Sequence, residues 1–195
     1  MKLYGTTTSP FVRRVRVVAE EVGEPVDRLD TATDAGQTAL RAISPIRKVP
    51  VALVDGRTIY DSRAIIDWLT LTRGWHDLAP PRDPWHQLNL LNAIDAALDS
   101  VIQLFYLRRD GVAADGSVYA ERQLARADAI FEWLATQLVD ERGFGQGFGL
   151  AELSLISALD WMDFRATYPT DKTRLHLVRT AWSERPSLVS TLPRA

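Results

Sequence analysis

The chain has 195 residues, 25% of them charged and 46% hydrophobic, with a formal net charge of −2. That leaves room for one large or two small globular domains with real cores, and it excludes a disordered chain. The near-neutral balance gives no reason to expect nucleic acid or an anionic membrane as partner, and the absence of cysteine excludes disulfides, thiolate metal sites and a catalytic thiol supplied by the protein itself.

Met1-Lys2-Leu3-Tyr4-Gly5 enters a strand pattern at once, so no signal peptide is expected. No run reads as long enough to span a bilayer, and a soluble cytoplasmic protein is the expectation. After the polar loop Thr6-Thr7-Thr8-Ser9, Pro10 suits the first turn of a helix and Ser9 its cap. Val12, Val15, Ala19 and Val22 follow helical spacing, and Gly23 ends the helix. Arg13, Arg14 and Arg16 read as a solvated helix face, since aromatic interleaving and net positive charge are both missing. Pro25 to Leu29 can form a second strand, and Thr31 to Ala42 is a more polar helical or irregular stretch.

Next comes the most informative segment. Val51–Val54 and Thr58–Tyr60 flank Asp55-Gly56, a strong hairpin signal, with Pro50 standing at the first strand's start. Asp61-Ser62 closes the hairpin where a helical pattern begins, running to about Thr72 with Ile65, Ile66 and Leu69 inward and Gly74 as its stop. A helix opening on Ser62 presents free backbone N–H groups and positive dipole potential, suited to a carboxylate. An extended edge beside an anion site suits an elongated ligand with peptide character.

Three prolines between Trp75 and Pro84 mark the best linker, dividing a domain over 1–76 from one over 84–195. Beyond it the period is helical throughout. Leu88, Leu91, Ala97, Leu98, Val101, Ile102 and Phe105 make one long stripe ended near Asp110-Gly111. Tyr119 to Leu138 is a second helix with Leu124, Ala127, Phe131, Leu134 and Leu138 inward; Leu150 to Ala166 is the most apolar and expected at the bundle's centre; Thr173 to Trp182 is the last clear helix before a tail beginning at Arg185-Pro186.

Lys48-Val49-Pro50-Val51 with Asp61-Ser62-Arg63-Ala64-Ile65 resembles the glutathione-binding half of a cytosolic glutathione transferase, and Ser9-Pro10-Phe11 resembles the opening of its bacterial serine-type members. The resemblance covers nearly the whole chain. It implies an α/β thioredoxin-like domain of order β-α-β-α-β-β-α followed by an all-α bundle. It also implies a cis proline at 50, although only about 5–6% of X–Pro bonds in folded proteins are cis. In the family, Val49 would pair its backbone with the cysteinyl part of glutathione. Asp61 and Ser62 would hold the γ-glutamyl end, and Lys48 with Arg47 the glycyl carboxylate. Phe11 and, on the first bundle helix, Tyr106 and Arg109 would meet a small hydrophobic electrophile. Glutathione is then a co-substrate, with no further cofactor, and a homodimer in a detoxification role is implied.

The chemistry required is modest. A free thiol of pKa about 8.5 is only a few per cent thiolate at neutral pH, and lowering that pKa by two units needs about 2.7 kcal/mol. A hydroxyl donating to a charged acceptor supplies roughly 1.5–3 kcal/mol, and a helix N-terminus adds about 0.3–1 kcal/mol. Ser9 is the candidate donor, with Thr7, Thr8 and Tyr4 as competitors. Ser9 and Asp61 as plain helix caps, Tyr4 as a packed strand residue, and Lys48 with Arg47 as solvated loop charges are the alternatives. The family's internal Ser/Thr-x-x-Asp helix cap is replaced by Gly149-Leu150-Ala151-Glu152, so only Glu152 can complete half of a capping box. His76, His86 and His176 are scattered without ligand spacing, so no metal site is expected. The glycines of 143–149 lack the Lys-Ser/Thr of a phosphate loop.

Overall fold

A computed structural model describes residues 1–145 and 147–194. The chain forms two compact units, Met1–Ala79 with the tail from Ser183, and Pro80–Trp182.

The first unit runs β1 (Lys2–Tyr4), α1 (Pro10–Glu21), β2 (Asp27–Leu29), α2 (Asp34–Ile43), β3 (Val51–Val54), β4 (Arg57–Tyr60), α3 (Ser62–Arg73). The strands form one sheet of order β2-β1-β3-β4, with β1 parallel to β2 and antiparallel to β3, and β3 antiparallel to β4. This is the expected thioredoxin-like order. Asp55 and Gly56 both take positive φ, 48° and 76°, which is what a tight two-residue hairpin turn requires. The stretch from Thr31 resolves into a helix because Thr33 caps it, accepting from the Gly36 N–H at 3.0 Å. Gly36 is needed there, since a Cβ would lie 1.9 Å from the Asp30 carbonyl oxygen. Alternation along β1 gives two cores. Leu3, Val12, Val15, Val18, Ala52, Ile65 and Leu69 are fully buried, while Tyr4 packs with Leu40 and Val51 in a second cluster.

The second unit is helical: α4 (Pro84–Arg109), α5 (Val118–Thr136), α6 (Leu150–Arg165) and α7 (His176–Ala181), with α4 packed on α5 and α6, and α6 on α7. Every residue from Leu150 to Leu159 is buried, the central position expected of α6. The α4 stripe differs from expectation. Leu88 is 40% exposed, because the buried seam follows Gln87, Leu90, Leu91, Ile94, Leu98 and Val101. Contrary to the sequence reading, α4 is long and apolar enough to cross a membrane by length and composition; here its seam is buried within the bundle. The last helix is shorter than expected because Thr173 diverts local donors, its carbonyl meeting the His176 Nδ1 at 2.8 Å and its hydroxyl accepting from the Leu175 N–H at 3.4 Å.

The tail carries α8 (Pro186–Ser190), which packs on α1. The division by sequence places these residues with 84–195; by contact, the residues from Ser183 onward group with the first unit. The solvated arginine face is also corrected: Arg13 and Arg14 are 2% and 5% exposed. Helix α1 lies against α3 and α8, and each arginine stands one turn before a fully buried valine, Val17 or Val18. Arg13 donates from Nη2 to the Leu188 carbonyl at 3.2 Å and from Nε to Thr191 Oγ1 at 3.4 Å.

At the other end of α1, Arg185 grips Glu21 with two bonds of 2.7 Å, and the Ser187 hydroxyl donates to the same carboxylate. Burial alone would raise the Glu21 pKa, but the hydrogen bonds from Arg185 and Ser187 outweigh it and hold it below the ordinary value. A lowered folded pKa means stability present above the unfolded value of about 4.3 and lost as pH falls through the folded one. Glu21→Gln is expected to cost about 2 kcal/mol at neutral pH. The gap to the parent protein should close in acid, which thermal unfolding at neutral pH and below pH 4 would measure.

Candidate functional site

Ser9 ends the loop after β1 in an extended conformation (φ −80°, ψ 125°) and caps α1, its Oγ accepting from the Val12 N–H at 3.3 Å. Pro10 follows at the first helical position, where its missing N–H leaves no helical bond unmade. A hydroxyl has two acceptor lone pairs and one hydrogen, so the cap consumes a lone pair and leaves the hydrogen to donate elsewhere. The capping and thiol-activating roles are thus compatible in one side chain. The competitors are more committed. Thr7 donates to the Arg194 carbonyl at 3.0 Å, Thr6 and Thr8 share a hydrogen bond at 3.4 Å, and Tyr4 is 6% exposed within the second core.

Asp61 caps α3, accepting from the Arg63 N–H at 2.8 Å, and its side chain is exposed. Ser62 behind it is buried, and its Oγ accepts from Arg14 Nε at 3.0 Å and Nη2 at 2.7 Å. The same guanidinium lies 4.9 Å from the ring centroid of Phe11. One arginine therefore ties the start of α1 to the start of α3, so that two capped helix N-termini, each with positive dipole potential, are held together.

Val49–Pro50 is cis, as the resemblance implies. Val49 packs its side chain on the Tyr4, Leu40 and Val51 cluster. Among the described residues its N–H and C=O have no backbone partner, so both are available to an extended ligand. Lys48 and Arg47 are exposed beside it. These residues, with Ser9, Phe11, Pro50, Asp61 and Ser62, all belong to the first unit. Tyr106 belongs to the second: it is 48% exposed on α4, with the Arg109 guanidinium 4.6 Å from its ring centroid. Among the described residues no cluster of three or more His, Cys, Asp or Glu side chains is placed to hold a metal ion.

Arg14 is the residue the sequence reading missed. The signal was there: Arg14 stands four residues after Pro10 and four before Val18, both buried, so the helix wheel itself puts it on the inner face. Assigning charge to solvent overrode that spacing.

The mixed four-stranded sheet with its helices, followed by a helical unit, is the architecture of glutathione transferases. The sequence model of the glutathione S-transferase N-terminal domain matches residues 3–74, and that of the C-terminal domain matches 117–188. The structure is similar to that of a glutathione S-transferase from Methylobacillus flagellatus KT with GSH bound. The two share 25% identity over 99% of each chain, with a TM-score of 0.86. An uncharacterised GST-like protein of Escherichia coli K12, YibF, is 26% identical over 87% of this chain and 85% of its own length. Glutathione S-transferase U6 of Arabidopsis thaliana is 34% identical over 45% of this chain, a match that takes in only 39% of the plant protein. With both domains of one family matched in order, the chain belongs to the glutathione S-transferase family.

Proposed function

We propose that this protein is a serine-type glutathione transferase. It binds reduced glutathione on its first unit and holds the thiol as thiolate for attack on a small hydrophobic electrophile. The observation that carries this reading is the Arg14–Ser62 pair, which fixes the hydroxyl-bearing N-terminus of α1 to the carboxylate-capped N-terminus of α3. The first supplies the donor a thiolate needs, and the second an anion for an ammonium group beside N–H groups for a carboxylate.

In this reading Val49 pairs with the ligand backbone through its open N–H and C=O. Asp61 meets the γ-glutamyl ammonium. The Ser62 hydroxyl hydrogen, which accepting from Arg14 leaves able to donate, and the Ser62 backbone N–H take the γ-glutamyl carboxylate, and the positive charge of Arg14 adds to the attraction. Lys48 and Arg47 meet the glycyl carboxylate, and Phe11 faces the electrophile. The thiol proton passes to solvent water, and the Ser9 hydroxyl donates a hydrogen bond to the thiolate sulfur. The thiolate then attacks the electrophilic carbon, forming a C–S bond while the electron pair leaves with the displaced group or moves onto the acceptor. A homodimer using the exposed face of α4, where Trp85 is 77% exposed, belongs to the same reading.

Calorimetric titration with reduced glutathione tests the reading. Saturable binding is expected, and its absence up to millimolar concentration would overturn it in favour of an interaction module that does not use glutathione. Asp61→Asn is expected to weaken binding about tenfold, because the ammonium loses its counter-charge, while α3 keeps its cap, Asn and Asp capping equally well. A panel of electrophiles, isomerisable substrates and peroxides then separates conjugation from other glutathione chemistry.

A further inference from the structure

We infer that the C-terminal tail, acting through Arg13, fixes the Ser9 hydroxyl, so that Arg13 is a positioning residue for thiol activation; the inference rests on the glutathione reading above. The tail brackets Ser9 from both sides in sequence. Two residues before it, the Thr7 hydroxyl donates to the Arg194 carbonyl at 3.0 Å. Four residues after it, the Arg13 N–H donates to the Ser9 carbonyl at 2.9 Å, and the Arg13 side chain reaches Leu188 and Thr191. Thr191 is fully buried and spends its own hydrogen on the Ser187 carbonyl at 2.6 Å, which leaves its oxygen to accept from Arg13. At the far end of α1, Arg185 and Ser187 hold Glu21, and Ser190 donates to Glu20 at 2.6 Å.

Helix α1 is therefore gripped at both ends by the same short segment, and its rotation and slide are fixed together with the backbone that aims Ser9. A hydroxyl-to-thiolate bond weakens steeply with angle, and small misplacements carry large kinetic penalties. The Arg13 guanidinium donates to the tail at Leu188 and Thr191. An anchor that served stability alone would lower the melting temperature without moving the thiol's pKa. A positioning role moves both.

The test is the ultraviolet absorbance of glutathione thiolate bound to the purified full chain, titrated against pH, with the dissociation constant measured by calorimetry. The proteins compared are the parent, Arg13→Met, Arg13→Lys and Thr191→Val. Arg13→Met is expected to raise the bound thiol's apparent pKa by about one unit, leaving about tenfold less thiolate on the acid side of the parent's pKa. Glutathione affinity should stay within about threefold, because the cradle's contacts remain. Arg13→Lys should recover part of the shift, its ammonium still reaching a carbonyl. Thr191→Val nearly keeps the shape and removes the acceptor for Arg13 together with the hydroxyl's own bond to the Ser187 carbonyl, so it reads the same effect at smaller size should Arg13→Met not fold. Folded variants with the parent's thiol pKa would overturn the inference alone. A parent protein that shows no glutathione thiolate would overturn the glutathione reading and this inference with it.

Discussion

Ser9→Ala is expected to lower turnover roughly 10- to 100-fold at neutral pH, while glutathione affinity stays within about threefold. The range follows from the roughly 1.5–3 kcal/mol that a hydroxyl donating to a charged acceptor contributes, at 1.36 kcal/mol per tenfold in rate. The pH profile should move in the same sense: with the donor gone, the limb reporting thiol ionisation shifts up by one to two units toward the free value of about 8.5. Alanine also removes the α1 cap, at a cost of about 1 kcal/mol in stability, so lost activity could be blamed on a frayed helix. Ser9→Gly separates the two effects, because glycine caps nearly as well as serine, within a few tenths of a kcal/mol, yet has no hydroxyl. Turnover in Ser9→Gly should fall as far as in Ser9→Ala with the melting temperature barely changed, and Ser9→Thr should keep much of the activity. Parent-like rates in both Ala and Gly variants would move the donor to Thr8. Thr7 is the weaker substitute, since its hydrogen is committed to the tail.

What the sequence could and could not announce divides by range. Signals carried within a few residues hold: Asp55-Gly56 makes the hairpin turn, Ser9-Pro10 opens α1, Asp61 caps α3, and Gly74 stops it. Each needs only local dihedrals and one side-chain hydrogen bond. The cis bond at Pro50 is different, for base frequency argued against it and only the family resemblance argued for it. The misreadings all depend on partners far away in the chain. Arg13 is buried because residues 188 and 191 arrive to accept from it, and Arg14 because Ser62 does. No local rule could supply those acceptors, though the wheel position of both arginines, one turn before Val17 and Val18, asked for them. Leu88 belongs to the same class. A stripe counted on apolar residues alone passes over Gln87, 8% exposed, and takes in Leu88, whereas the packed seam does the reverse.

The largest stability effect falls in the second unit. Glu152→Ala is expected to destabilise the protein by about 2–6 kcal/mol, read from denaturant unfolding. Gly149 caps α6 without a side chain, so the reciprocal half of a capping box is missing, and Glu152 makes up for it by accepting from two backbone donors. Its Oε2 takes the Gly149 N–H at 3.0 Å and its Oε1 the Phe144 N–H at 2.9 Å, with the residue 2% exposed. Alanine orphans both donors, at about 1–3 kcal/mol each. The turn is built around this carboxylate: Gly143 sits at φ +138°, and a Cβ there would come within 2.6 Å of the Glu152 side chain. Burial pushes the Glu152 pKa up, and the N–H groups of Phe144, Glu152 itself and Gly149 offset that only in part. A raised folded pKa makes the contribution greatest below the unfolded value and reduces it as pH rises through the folded one, opposite in sign to Glu21. Glu152→Gln removes that titration and, with one amide oxygen, still satisfies one donor. It should therefore lose less than alanine and show a flatter stability profile between pH 4 and 7. A change below about 0.5 kcal/mol in the alanine variant, the range of ordinary surface substitutions, would mean that the two N–H groups find other acceptors and that this carboxylate does not hold the α6 entry.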